Sequence, residues 1–237
     1  MEFQRDGRIA RIFLNRPQKV NAFDTALLDA LAAALQKVED SVHVVVLGGH
    51  GKAFCAGADV RELESLDEQS ARVFIGKIHH VCDAVRRLPM PVVARLHGAV
   101  IGAGLELAAA CDIRVAAKGT RFAMPEVRLG IPSVVEAALL PRLIGSGRAA
   151  WLVLTGESID AERAYEWGLV ENASDELDRA VSQTVDSLLA GDPAALRVQK
   201  ELLQMWDEQP LATSVAASIE RFAQAYTIGR AKVRKEH

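Results

Sequence analysis

PVVARLHGAVIGAGLELAAACD, Pro91 to Asp112, is the stretch whose reading decides the fold. Pro91 to Leu96 is an apolar, β-branched run bounded by turn formers and reads as a strand. Gly98 to Gly104 is a loop of small residues, and Leu105 to Cys111 begins a helix. The same order stands just upstream. Val42 to Leu47 is a short, nearly continuous apolar run of the kind a parallel strand covered on both faces shows. Gly48-Gly49-His50-Gly51 closes it, Lys52 to Val60 forms a second small-residue loop, and Arg61-Glu62-Leu63 reads as helical. Further out, Arg8 to Leu14 alternates as a strand that ends at Asn15-Arg16-Pro17. Thr25 to Val38 carries Leu27, Leu28, Leu31, Ala34, Leu35 and Val38 at helical spacing behind Asp24 as N-cap. Downstream, Ile113 to Ala116 is strand-like and a turn at Pro125 precedes Glu126. Helical patterns cover Val134–Leu143, Arg148–Thr155 and Asp160–Trp167, the last stopped by Gly168. Helices over Asp175–Leu189, Ala194–Trp206 and Leu211–Tyr226 complete the chain. Strand and helix alternation predicts an α/β domain with parallel strands under helices. Periodicity does not separate a doubly wound sheet from a spiral of β-β-α turns.

Composition narrows the function classes. The 237 residues are 50% apolar and 25% charged, as in a globular protein with a sizeable core. A net charge of −3 gives no support to a nucleic-acid or anionic-membrane surface. A basic cluster at the end, Arg230, Lys232, Arg234 and Lys235, reads as solvated surface. Cys55, Cys82 and Cys111 fit neither a disulfide framework nor a metal pattern, and favour a reducing, cytoplasmic setting. No signal-peptide pattern opens the chain, and no apolar run reaches the length of a membrane span; Arg95, His97 and Glu106 interrupt the nearest one. The six histidines show no metal-ligand spacing, and no Gly-x-Ser-x-Gly elbow is present. The histidine pair His79-His80 sits on a polar helix and is expected to face solvent.

Two loops and three carboxylates carry the candidate chemistry. Lys52 to Val60 and Gly98 to Gly104 expose backbone N–H groups, the second at a helix start that suits an oxyanion. Taken singly, each reads equally as a tight βα connection. Neither is a phosphate loop or a full dinucleotide fingerprint. Glu106 lies in an otherwise apolar helix start, where burial raises a carboxyl pKa toward that of a neutral-pH acid or base. A first-turn glutamate that merely complements the helix dipole has the same pattern. Glu126 follows Met124-Pro125 in a similar setting, or caps a turn beside Arg121 or Arg128. Glu136 is a first-turn helix residue or a third site acid.

The motifs together resemble one family. Asn15-Arg16-Pro17, Asn21-Ala22, Lys52-Ala53-Phe54-Cys55-Ala56-Gly57-Ala58-Asp59, Pro91-Val92-Val93-Ala94, Gly98, Gly102-Ala103-Gly104-Leu105-Glu106-Leu107, Cys111-Asp112 and Phe122-Ala123-Met124-Pro125-Glu126 follow in the order of the crotonase (enoyl-CoA hydratase/isomerase) superfamily. Leu129-Gly130-Ile131-Pro132, Leu154-Thr155-Gly156 and Ala161 to Val170 continue it. The resemblance implies a crotonase-type spiral of β-β-α units over residues 1–190 and a C-terminal helical region over 191–237 that serves oligomerisation and pocket cover. It implies homotrimers or dimers of trimers, and an oxyanion hole at the N–H groups of Ala58 and Ala103. Glu106 and Glu126 correspond to the catalytic pair, while Lys19, Ala56, Gly57, Asp59 and Arg61 lie toward coenzyme A. No metal or redox cofactor is implied, since coenzyme A belongs to the substrate; neither nucleic acid nor membrane is an expected partner.

The implied reaction is reversible addition of water to a 2-enoyl-CoA, giving a 3-hydroxyacyl-CoA, as in fatty acid metabolism. The alternatives are double-bond isomerisation or thioester hydrolysis on the same scaffold, and a non-catalytic CoA- or RNA-binding homologue. Three departures stand out. Ser133-Val134-Val135-Glu136 replaces a Gly-rich stretch, which predicts a reshaped acyl pocket. Met124 replaces a common glutamine, which predicts a less polar wall beside Glu126. The Glu220 to His237 ending differs from that of relatives.

Overall fold

The computed structural model describes residues 1–227. The basic cluster from Arg230 to Lys235 and the end of the divergent C-terminus lie outside the described residues. A six-stranded sheet forms the backbone of the fold, ordered β1-β2-β3-β4-β6-β9. Its strands are β1 (Glu2–Asp6), β2 (Ile9–Leu14), β3 (Val44–Gly49), β4 (Val92–Leu96), β6 (Ile113–Ala117) and β9 (Asn172–Ser174). From β2 to β9 every pairing is parallel, with Val45 opposite Val92, Val93 opposite Ile113 and Val115 opposite Asn172. Only β1 runs antiparallel, as a hairpin on β2. It has no sequence signature because four of its five residues are exposed.

A smaller sheet contains β5 (Ala99–Ile101), β7 (Arg121–Ala123) and β8 (Ile159–Asp160). Isolated parallel bridges Phe23–Ala58 and Cys55–Val100 extend the same layer. The chain passes from the large sheet to the small one before each return: β4, β5, then α4 (Ala103–Ala109); β6, then β7. That alternation decides for the spiral over the doubly wound sheet. The expected Gly98–Gly104 loop therefore contains a strand, and its helix starts two residues earlier than predicted, at Ala103.

Both faces of the large sheet are covered, which explains why β3 is buried at all six residues. Val45 and Leu47 face a core shared with Phe23, Leu28 and Leu31 of the α1 (Thr25–Leu35) region and with Phe74, Ile78 and Val81 of α3 (Glu68–Arg87). Val44, Val46, Val93 and Val115 face the opposite way, onto Leu177, Val181 and Val185 of α8 (Leu177–Ala190). Asp24 caps α1 by accepting from the Leu27 N–H at 2.8 Å, as predicted. Gly168 ends α7 (Ala161–Trp167) in the left-handed region, φ 78°. Between the expected ends of the Val134–Leu143 helix, a 3-10 turn over Val135–Leu139 hands over to α5 (Leu140–Ile144). Pro141 has no N–H for α-helical bonding, which forces that handover.

The predicted linker Gly191-Asp192-Pro193 separates α8 from α9 (Pro193–Glu208), with Asp192 as N-cap. The α9 helix is anchored by Lys200, 5% exposed, whose Nζ lies 2.7 Å from Asp112 and 3.1 Å from the Met90 carbonyl. The α10 helix (Leu211–Thr227) leaves Leu211, Val215, Ile219 and Phe222 exposed along one stripe. Among the described residues no helix is long and apolar enough to cross a membrane.

Candidate active site

The first loop is shaped by Asn21, a buried residue at φ 56°. Its Oδ1 accepts from the Arg16 N–H at 2.8 Å, and its Nδ2 donates to the carbonyls of His50 (2.9 Å) and Ala53 (2.8 Å). Asparagine tolerates this left-handed conformation better than most residues. The loop then pairs with the chain before α1: Phe23 N–H donates to Gly57 at 2.7 Å and Asp59 N–H to Phe23 at 2.8 Å. Alternate amides of a strand point to opposite sides, so the intervening Ala58 N–H turns away from this pairing. Ala103 is the first residue of α4, and the first amides of a helix have no intrahelical acceptor. Among the described residues neither the Ala58 nor the Ala103 N–H meets an acceptor. The two loops touch: a Cβ on Gly57 would lie 3.0 Å from the Ile101 carbonyl and 3.9 Å from the Ala103 nitrogen.

Glu106 lies three residues after Ala103, on the same helical face. It is 4% exposed, and its Oε1 accepts from the Ala137 N–H at 3.2 Å. Burial, then the neighbouring Glu126 charge, raises its pKa to about 8, with Glu136 adding to the rise and the Ala137 N–H opposing it. That rise favours the protonated carboxyl near neutral pH. Glu126 opens a 3-10 turn after β7 and is half-buried. Its Oε2 accepts from Ser133 Oγ at 2.9 Å. Its Oε1 lies directly over Gly102, where any Cβ would overlap it; Gly102 also has φ 51°.

Both glutamates, Ala58 and Ala103 line one cleft of about 240 Å³, with Ala56 and Gly57 at its edge. Leu63 of α2 (Val60–Glu64), Phe74, Ile78 and Ile101 make its walls largely apolar. A second basin of about 320 Å³ is bordered by Arg16, Lys19 and Arg61 together with Asp24, Asp59 and Glu62. Asp59 is already engaged there. It accepts from Arg16 at 2.6 Å and caps α2 through the Arg61 N–H, and the Arg16 bond is the main cause of its lowered pKa. The sequence reading passed over Arg16 as a basin residue, although it lies inside the quoted Asn15-Arg16-Pro17 motif.

Two expectations need correction. Met124 is fully buried and makes no wall beside Glu126; the side chain touching Glu126 is Ser133, from the first departure. Glu136 does not line the cleft with the other two acids. It is 5% exposed on the far side of the same segment, with Oε1 2.7 Å from His79 Nδ1. His79 is exposed, as expected, but this contact joins residues 57 apart and has no sequence signal.

Comparison with known proteins agrees with this geometry. The sequence profile of enoyl-CoA hydratase/isomerase matches residues 4–235. A short-chain-enoyl-CoA hydratase of Clostridium acetobutylicum is 30% identical, over 94% of this chain and 88% of that protein. A crotonyl-CoA hydratase of Syntrophomonas wolfei is 34% identical, over 83% of this chain and 78% of that one. The crystal structure of an enoyl-CoA hydratase from Thermoplasma volcanium superposes with a TM-score of 0.92 at 32% identity, over 95% of this chain and 92% of the other. With its two-sheet spiral and paired glutamates, the chain belongs to the enoyl-CoA hydratase/isomerase family of the crotonase superfamily.

Proposed function

We propose that the protein is an enoyl-CoA hydratase, adding water reversibly across a 2-enoyl-CoA to give a 3-hydroxyacyl-CoA. The observation that carries this reading is the convergence of Glu106 and Glu126 on one cleft with the amides of Ala58 and Ala103, which meet no acceptor among the described residues. The thioester oxygen gains negative charge as the double bond is attacked. Two preorganised N–H donors stabilise that charge, and removal of one such donor elsewhere costs on the order of 3 kcal/mol. One carboxyl takes a proton from water as the hydroxyl adds to the β-carbon, and the other delivers a proton to the α-carbon. The pair ends with the same total number of protons, and addition of water brings no net change of oxidation state, so the step calls for no redox cofactor. The raised pKa of Glu106 suits it to the proton-donating half of that exchange.

Lys19, Arg61 and Arg16 border the second basin, and we assign them to the phosphates and adenine of coenzyme A, with the Ala56 to Asp59 loop between nucleotide and thioester. The exposed α10 stripe supports assembly as a homotrimer or dimer of trimers, because surfaces of this kind are commonly covered by a partner. Three buried free cysteines fit the cytoplasm.

The test is incubation with crotonyl-CoA and longer or branched 2-enoyl-CoAs, following loss of the conjugated thioester absorbance and product mass. Gain of one water, abolished in Glu106→Gln and Glu126→Gln, is the expected result. An unchanged mass would indicate isomerisation, free coenzyme A would indicate hydrolysis, and no turnover despite binding would leave a binding homologue.

A further inference from the structure

Behind the cleft, Glu136 is a buried carboxylate that the proposed reaction does not use. Its Oε1 meets His79 Nδ1 at 2.7 Å, while its Oε2 is buried with no partner among the described residues. An incompletely satisfied buried carboxylate is destabilising, and such exceptions call for an explanation. Two features of the same segment supply one. Val135, immediately before it, sits at φ 41°, a genuine outlier for a β-branched residue. Ala137, immediately after it, donates its N–H both to the Val134 carbonyl at 3.0 Å and to Glu106 Oε1 at 3.2 Å. The strained backbone thus delivers a donor to Glu106, and the His79–Glu136 contact is the side-chain tie that fastens this segment to α3.

We propose that His79 and Glu136 are a positioning pair for Glu106: the imidazole fastens Glu136, the fastened segment presents the Ala137 N–H to Glu106, and the Glu136 charge stands behind the Glu106 carboxyl. This rests on the hydratase reading only for its kinetic consequence. Along α3, His79 is flanked by His80 and, one turn on, by Asp83, which is paired with Arg87. Cys82 of α3 lies near both glutamates and is itself pushed up by burial first and then by Glu136 and Glu106. Arg86, Arg142 and Glu208 border the small cavity on the outer side of Glu136. Arg86 is paired with Glu208 at 2.9 Å, and Arg142 lies 4.0 Å from Asp207, so each guanidinium faces an acid of α9. Glu126 faces Glu106 from the cleft side.

The experiment follows the carbon-13 carboxyl signal of Glu106, assigned by its loss in Glu106→Gln, through a pH titration of the full chain. In Glu136→Gln, which keeps the shape and removes the charge, the Glu106 midpoint falls measurably. In His79→Ala the segment loosens, Glu106 loses its donor, and the midpoint rises. His79→Asn, whose amide nitrogen takes the place of Nδ1, restores the wild-type midpoint. The pH profile of kcat moves in the same directions, with KM for the acyl-CoA little changed. A midpoint unmoved in Glu136→Gln, or a His79→Ala titration identical to wild type, overturns the proposal. His79 is largely exposed, so its variants retain the fold, and thermal melting checks this. If the wild type hydrates no substrate, the hydratase reading fails while the midpoints still decide the role of the pair.

Discussion

Gly102→Ala offers a sharp test of how the cleft is built. Two effects are superposed at that position. The backbone at φ 51° disfavours any Cβ, which costs on the order of 1–3 kcal/mol of stability. The new Cβ would also occupy the space of Glu126 Oε1. An ordinary C···O contact needs about 3.3 Å, so the carboxylate must retreat by about 1 Å. A misplacement of that size in a reacting group costs about 10²-fold in rate, or close to 3 kcal/mol of activation free energy. Gly7→Ala separates the two effects. Gly7 has φ 56° in the β1–β2 turn and nothing within 4 Å of its Cβ position, so it carries the strain without the collision. Both variants should melt several degrees lower, whereas only Gly102→Ala should lose about two orders of magnitude in crotonyl-CoA hydration, with the KM nearly unchanged. If Gly102→Ala kept a kcat within a few-fold of Gly7→Ala, Glu126 would not be held where the reaction needs it, and the two-glutamate mechanism would be wrong in that part.

Other consequences follow from individual residues. Glu106 binds its proton up to about pH 8 when folded and only to about the ordinary carboxyl value of 4.5 when unfolded, so the native state binds more protons in between. Stability therefore falls as pH rises from about 4.5 to 8; Glu106→Gln should match wild type at pH 4.5 and exceed it by a few kcal/mol at pH 8.5, measured by urea unfolding. Asn21→Ala removes three hydrogen bonds and places alanine at φ 56°, for a loss of about 3 kcal/mol and a collapse of activity on melting. Lys200→Ala removes a buried ammonium that bonds Asp112 and the Met90 carbonyl and should cost about 1–3 kcal/mol, seen as a fall in the urea midpoint. Ile219→Asp on the exposed α10 stripe should shift the sedimentation coefficient toward the monomer while the circular dichroism spectrum stays unchanged.

The elements legible in the sequence are those whose side chains report their burial. β3 and β4 are apolar runs because both faces of the sheet are covered, and α1 shows its stripe because one face meets the core. The small sheet is different. Its strands have three, three and two residues, too short to establish a period of two, and its existence depends on parallel contacts between loops such as Cys55 and Val100. Those contacts distinguish a spiral from a doubly wound sheet, which is why local pattern left that choice open and the family resemblance was needed to make it.

The site divides along the same line. Glu106 is conspicuous because a carboxylate in an apolar helix start must be either satisfied or protonated; it accepts one amide, and burial with the neighbouring Glu126 raises its pKa to about 8. Glu136 has the same local signature, a carboxylate among valines and alanines, yet the turn at Val135 directs it away from the cleft to a histidine on α3. Sequence pattern identifies which acids are buried; it does not identify which side of a segment they face, because that depends on one backbone dihedral. The departure at Ser133–Glu136 thus does two things at once. Its first residue supplies a hydroxyl to Glu126 in the cleft, and its last, behind the wall, lies close enough to Glu106 to favour the proton there. A Gly-rich stretch in the same place would have neither side chain, so the hydroxyl on Glu126 and the carboxylate behind Glu106 are both features of this segment's own sequence.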